Sequence, residues 1–234
     1  MRKGSLVFLL FLVLAAADAY GYETIEVKGG GSLKGRVKVT GTIPRDESIV
    51  VDKDVNHCGA KLPREKYVLS ADGGVQYAVV FIKGITKGKA IPKNDVLIDN
   101  KKCSFHPHVQ GGTIGQSMVV RNDDPMLHNT HMYLNKRTIF NAALPRTGME
   151  IKKPINREGI VEIHCDAHTF MLGWLYVLDH PYVSTSDANG NFTITDIPAG
   201  TYDVEIWHEA LGVQDQKITV TPNGVAELNV EYKQ

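Results

Sequence analysis

Short stretches of alternating apolar and polar residues, separated by turns, recur along most of this chain. Residues 33–39 alternate in this way, and residues 75–82 and 160–163 are rich in β-branched side chains. A period of two residues is typical of a strand with one buried face. Clusters of Gly, Pro, Asn and Asp separate such stretches, as at residues 71–74 and 122–125, and these residue types favour turns. The pattern predicts an all-β fold, either a sandwich or a barrel.

The last fifty residues have a strand-and-turn pattern of their own. A turn at residues 187–191 precedes an alternating stretch at 192–197, and a second turn follows at 198–200. This pattern predicts a second, small β module at residues 181–234. The larger first domain is then expected at residues 20–180.

The N-terminus has the features of an export signal. Arg2 and Lys3 precede a short apolar run at residues 6–14, and small residues follow at 17–19. An apolar run of this length with these flanks is typical of a signal peptide, here residues 1–19, whereas a membrane span needs about 20 apolar residues. An uncleaved anchor is the competing interpretation. We therefore expect a periplasmic or secreted protein with no integral membrane span.

Charge is balanced, with 26 basic and 26 acidic residues. Nucleic-acid-binding domains commonly carry an excess of Lys and Arg. The composition therefore gives no sign of a nucleic-acid partner.

The cysteine count is odd, which matters for an exported chain. The three cysteines are Cys58, Cys103 and Cys165, and an oxidising compartment lets thiols pair. The simplest arrangement pairs Cys58 with Cys103, because Cys165 alone has a histidine and a methionine close behind it. Such a bridge stabilises the fold by about 3–4 kcal/mol in the chain-entropy model.

The segment around Cys165 carries the clearest chemical motif. It reads Cys-x2-His-x2-Met, with His168 and Met171 following the cysteine, and it comes directly after the strand predicted at residues 160–163. A histidine from upstream, His128, completes the set. Two imidazoles, one thiolate and a weak thioether are the ligands of electron-transfer copper.

These motifs resemble plastocyanin and other cupredoxins. The upstream segment DDPMLHN ends in His128 and Asn129, and the cysteine loop follows about 36 residues later. The resemblance implies a Greek-key β-sandwich or barrel with one type 1 copper per chain. It implies that His128, Cys165 and His168 are copper ligands, and that Asn129 ties the two ligand loops together by hydrogen bonding.

The role of Met171 stays open at this stage, because its loop is shorter than in plastocyanin. The His-x2-Met ending also resembles the dinuclear copper site of cytochrome oxidase, but that site needs a second cysteine where this chain has Val161. Zinc accepts the same nitrogen and sulfur ligands. A buried thiol beside a hydrogen-bonded histidine is a further alternative.

Three other histidines form a weaker candidate group. His106 and His108 follow Cys103, and His57 precedes Cys58. Together they form either a second metal site or a set of surface histidines near a disulfide, and we favour the second interpretation.

The C-terminal segment resembles a different family. Residues 186–209 are similar to the carboxypeptidase regulatory-like domain, a small transthyretin-like β-sandwich. The resemblance implies an accessory role in docking or rigidity.

The function predicted from the sequence is the transfer of single electrons between redox partner proteins by an exported type 1 copper protein. We expect His168 to face solvent as the electron port, flanked by Phe170, Met171 and Leu172. We predict no enzymatic activity, because copper oxidases and nitrite reductases need a further catalytic copper with several more histidines. The alternative is a non-redox copper- or zinc-binding, or docking, β protein of the cell envelope.

Overall fold

The computed structural model describes residues 21–43 and 48–234, so the predicted signal peptide at residues 1–19 lies outside the described residues. Those residues form twenty strands and one short helix, α1 (Val55–Cys58). The all-β fold class is confirmed. Within the same ranges no helix combines the length and the apolar character needed to cross a membrane. The strands are β1 (Glu23–Thr24), β2 (Gly31–Thr40), β3 (Ile49–Val50), β4 (Lys61–Leu62), β5 (Val79–Ile82), β6 (Lys87–Gly88), β7 (Val96–Lys101), β8 (Ser104–His106), β9 (Val109–Thr113), β10 (Ser117–Asn122), β11 (His128–Leu134), β12 (Arg137–Leu144), β13 (Met149–Pro154), β14 (Gly159–His164), β15 (Leu172–Leu178), β16 (Val183–Thr185), β17 (Asn191–Ile197), β18 (Gly200–His208), β19 (Gly212–Val220) and β20 (Val225–Lys233).

Strands β7 to β15 build a first sandwich. One sheet has the order β13-β10-β7-β8, and the other has the order β12-β11-β14-β15-β9. Burial alternates along β10, where every second side chain is buried. The two sheets are open rather than closed into a barrel. Their shared core holds Val96, Ile98, Phe105, Met118, Val120, Met132, Leu144, Ile155, Val161, Ile163, Cys165, Met171, Leu175 and Val177.

A second sandwich combines strands from the two ends of the chain. Its sheets have the orders β16-β5-β18-β19 and β17-β2-β20. Strand β2 runs parallel to β20 from Ser32 to Thr40, and β5 lies between β16 and β18. The strands of this sandwich therefore come from both sides of the boundary predicted at residue 181. Alternation shows that a strand has one buried face, but it does not say which sheet the strand joins.

Strand β5 contacts both sandwiches. All four of its residues are buried, so both faces of the strand are covered. Val80 and Ile82 point into the core of the second sandwich. Val79 and Phe81 point the other way, into a smaller apolar cluster that also contains Val109 of the first sandwich. The two sandwiches therefore share an apolar interface.

Residues 48–62, which we call the cover segment, lie against the first sandwich. The predicted disulfide between Cys58 and Cys103 is present, which confirms that prediction. Both half-cystines are buried in a small apolar cluster with Val51, and Phe170 packs against this cluster. The cover segment is thus anchored next to the loop that follows Cys165.

Candidate metal centre

Two neighbouring antiparallel strands bring the candidate ligands together. β11 begins at His128 and β14 ends at His164, and the two strands pair antiparallel. His128, the first residue of β11, and Cys165, the residue after β14, therefore lie at the same end of the sheet. The chain then turns, and the N–H of Met171 donates to the carbonyl of His168 over 3.0 Å.

Three side chains form a compact, buried group at this end of the sheet. The Nδ1 atoms of His128 and His168 each lie 3.8 Å from the Sγ of Cys165. The ligand atoms of all three residues lie within 4.8 Å of one another, and the three side chains are buried. The sequence motifs predict this same set of residues.

The spacing of these donor atoms fits a single metal ion. An ion such as zinc, about 2.3 Å from a thiolate and about 2.0–2.1 Å from an imidazole nitrogen, separates the two donors by about 3.7–3.8 Å when the angle between them is about 120°. Both sulfur–nitrogen separations here are 3.8 Å. The arrangement therefore suits a trigonal set of one sulfur and two nitrogens.

The backbone of Met171 contacts this group through the carbonyl of His168. The residue is 2% exposed and belongs to the same core cluster as Cys165. The axial role considered from the sequence stays a prediction.

Asn129 ties the two ligand loops together. Its backbone N–H donates to the Sγ of Cys165 over 3.4 Å. Its side-chain oxygen accepts from the N–H groups of Asp166 and Ala167, at 2.5 and 3.2 Å, and its amide group donates to the Asp166 carboxylate. These bonds join the start of β11 to the turn after β14, and they fix the sulfur relative to His128.

Two carboxylates that were not predicted hold the outer nitrogens of the histidines. Nε2 of His128 lies 2.9 Å from Oδ2 of Asp124, and Nε2 of His168 lies 2.7 Å from Oδ2 of Asp54. Since each Nε2 faces a carboxylate, each Nδ1 is left to face the thiol. Carboxylates in this position orient metal-binding histidines and raise the basicity of the ligand.

The expectation that His168 faces solvent is wrong. Its side chain is 0% exposed, because the cover segment lies over it. Besides the contact from Asp54, the Nζ of Lys53 donates to the carbonyl of Ala167 over 3.0 Å. The turn that carries His168 is thus held by two neighbouring residues of the cover segment.

The protonation of the site follows from its burial and its hydrogen bonds. Burial alone would lower the pKa of His128, but the hydrogen bonds to Asp124 and Cys165 outweigh burial and raise that pKa to about 9. Burial would raise the pKa of the Cys165 thiol, yet His128 and the N–H of Asn129 lower it overall. This shift makes the thiolate, which is the form that binds metals, more accessible than it is for an unperturbed thiol.

The histidines proposed for a second site are not brought together. Among residues 21–43 and 48–234, the only other group with metal-ligand spacing consists of His57, Cys103 and Asp124. His108 lies elsewhere, with Nδ1 donating to the carbonyl of Leu172 and Nε2 bonded to a carboxylate of the second sandwich. His106 is in neither of the two groups with metal-ligand spacing.

Comparison with known proteins gives partial likenesses. The family model described as polysaccharide lyase family 4, domain II, matches residues 176–228, so the predicted likeness to the carboxypeptidase regulatory-like domain stays a prediction. No curated protein sequence matches the chain.

Several solved structures resemble parts of the chain. A copper-containing nitrite reductase from Thermus scotoductus SA-01 is 19% identical, with a TM-score of 0.33, over 40% of this chain and 24% of that one. A purple cupredoxin from Nitrosopumilus maritimus is 23% identical, with a TM-score of 0.32, over 37% of this chain and 100% of that one. A reduced amicyanin variant is 18% identical, with a TM-score of 0.33, over 38% and 86%. The matched segment thus spans about a quarter of the nitrite reductase.

Proposed function

We propose that this chain is an exported protein that carries single electrons between redox partner proteins. In this proposal His128, Cys165 and His168 would hold one type 1 copper ion, and Met171 would supply a fourth, weaker ligand. The chain acts as an electron carrier and not as an enzyme.

One observation carries the proposal: two imidazole Nδ1 atoms lie 3.8 Å from one buried thiol. A bound copper ion would supply a centre that changes its charge by one electron. Soft sulfur suits Cu(I) and imidazole suits copper in general, so this donor set serves both oxidation states.

The protein's own part is to keep the donor atoms in place. Asn129 fixes the sulfur, and Asp124 and Asp54 fix the two rings. The buried position of all three donors excludes water from the site. A site held in this way has little to rearrange when the charge of the metal changes, which favours fast electron exchange.

A second candidate function is non-redox binding of copper or zinc. The observation that favours it is the covered position of His168, whose side chain is 0% exposed. An electron carrier needs a metal ligand close to the surface that its partner contacts. Here the cover segment lies between His168 and that surface.

The test is a visible absorption spectrum of the mature chain after addition of copper, together with a count of bound metal. We expect one copper per chain and an intense thiolate-to-copper band that a reductant bleaches and an oxidant restores. Cys165→Ala should remove both the band and the copper. His106→Gln, which changes a half-buried histidine outside the site, should leave both unchanged.

Each outcome separates the two candidates. A band that does not recover after reduction and reoxidation would support metal binding without electron transfer. A colourless chain that holds zinc, or no metal, would overturn the electron-carrier proposal.

A further inference from the structure

A second group of metal-ligand side chains surrounds the disulfide that anchors the cover segment. The ligand atoms of His57, Cys103 and Asp124 lie within 4.8 Å of one another. Cys58 brings a second sulfur to the same place, because it is bonded to Cys103. Met126 packs against the apolar cluster that contains both sulfurs. Two sulfur atoms and an imidazole therefore lie close together in one small region, with Met126 packed against it.

The carboxylate in this group is already fully engaged. Oδ2 of Asp124 accepts from Nε2 of His128 and from the N–H of Cys103, and Oδ1 accepts from the N–H of Lys102 and contacts His57. The groups that remain for a cation are the sulfurs and the imidazole.

Access to this group comes from the side of the imidazole. The His57 side chain is 37% exposed, whereas both half-cystines are buried. His57 and Cys58 are neighbours in α1, so a single turn of helix presents one nitrogen and one sulfur. An incoming ion can meet the histidine first and the sulfurs after it.

We propose that the chain, once its disulfide is reduced, binds one Cu(I) ion through Cys58, Cys103 and His57. Soft thiolate ligands suit Cu(I), and Met126 packs against the cluster that holds both sulfurs. The oxidised chain does not bind this ion, because the two cysteine sulfurs are bonded to each other. The proposal is independent of the electron-carrier function.

The reaction has two steps. A dithiol reductant gives two electrons and two protons to the Cys58–Cys103 bond, which yields two thiols and the oxidised reductant. Cu(I) then displaces the thiol protons, which pass to solvent. The same sulfurs thus either tether the cover segment or hold a metal ion.

The two metal groups share one carboxylate. Asp124 contacts His57 through Oδ1 at 3.1 Å and His128 through Oδ2 at 2.9 Å. A Cu(I) ion that draws His57 toward the sulfurs therefore removes the contact between His57 and Asp124. Asp124 also contacts His128, a proposed ligand of the first site.

The experiment uses the full mature chain with Cys165→Ser, so that the first site lacks its thiolate. Oxidised chain and chain reduced by a dithiol, with the reductant removed without air, are each titrated with Cu(I) against a chromogenic Cu(I) chelator. The reduced chain should withhold one copper more than the oxidised chain. Adding Cys58→Ser and Cys103→Ser should abolish that difference.

Single substitutions test the third ligand. His57→Gln should weaken the reduced chain's hold on Cu(I) by about tenfold or more, whereas His106→Gln should have no effect. The proposal is overturned if the reduced chain withholds no more copper than the oxidised chain, or if the double serine variant withholds as much. It is also overturned if reduction alone abolishes the near-ultraviolet circular dichroism, because the site requires the folded chain.

Discussion

At the scale of single residues, the partners of the two histidines distinguish this site. Asp124 and Asp54 each place a carboxylate against the Nε2 of a candidate ligand. A negative charge there makes the opposite nitrogen a stronger donor. It also stabilises the more positive metal state by direct attraction, which is stronger away from bulk water.

We expect Asp54→Asn to raise the reduction potential of the bound copper. The amide keeps a polar contact with His168 but removes the charge, so Cu(II) loses more stabilisation than Cu(I). A potentiometric titration of the visible band measures the change, at about 59 mV for each tenfold selective loss of Cu(II) affinity.

Asp52→Asn is the matched control, because Asp52 is an exposed carboxylate two positions away in the same segment. It should leave the potential unchanged. Equal potentials in the wild type and in Asp54→Asn would show that the Asp54 charge does not act on the metal.

The sequence reveals some of these residues and not others. His128, Cys165 and His168 carry a spacing that points to copper ligands. Asp54 has no such signal, because it lies 114 positions from the histidine that it contacts. The fold alone brings that pair together, and the contact explains why His168 is buried although the motif suggested an exposed edge.

At the scale of elements, the cover segment has little regular structure and is tethered by a disulfide. Its regular structure is limited to β3, β4 and the single turn of α1. Short elements of this kind bury little apolar surface, so a covalent tether matters more for them. The bridge joins cysteines 45 positions apart.

Replacing both Cys58 and Cys103 by serine should lower the free energy of unfolding by about 4 kcal/mol, the value of the chain-entropy model for a loop of this length. Urea unfolding of the oxidised wild type and of the double variant measures it. The thiolate-to-copper band should persist in the variant, because Cys165 is unchanged. Loss of that band would mean that the tether is needed to form the first site.

The order of strands shows a limit of sequence reasoning at this scale. Alternation at residues 33–39 predicts a strand with a buried face, and β2 confirms it. One of the two partners of that strand, β20, lies almost two hundred residues later and pairs with it in parallel. Local patterns carry no information about so distant a partner, whereas turns predict only neighbouring strands.

At the scale of the whole molecule, a buried polar cluster joins the two sandwiches beside the apolar interface. His108 bonds to Glu209, and the Nε1 of Trp174 donates to the same carboxylate over 3.0 Å. Both charged side chains are almost fully buried. Burial alone would lower the pKa of His108, but the bond to Glu209 outweighs it and raises the pKa above the ordinary value of 6.5.

The pair of His108 and Glu209 should make the stability of the contact between the two sandwiches depend on pH. A histidine whose pKa is raised by folding contributes stability that is fully present below its unfolded pKa, about 6.5, and is lost as pH rises through the folded value. We therefore expect the copper-free wild type to be more stable than Glu209→Gln by a margin that is largest at low pH and shrinks as pH rises. Urea unfolding of both chains at about pH 5.5, about pH 7 and about pH 9 measures that margin. Glu227→Gln, at an exposed position, is the control and should have nearly the same free energy of unfolding as the wild type at every pH. If the difference between the wild type and Glu209→Gln stayed constant with pH, His108 would not be charged in the folded chain.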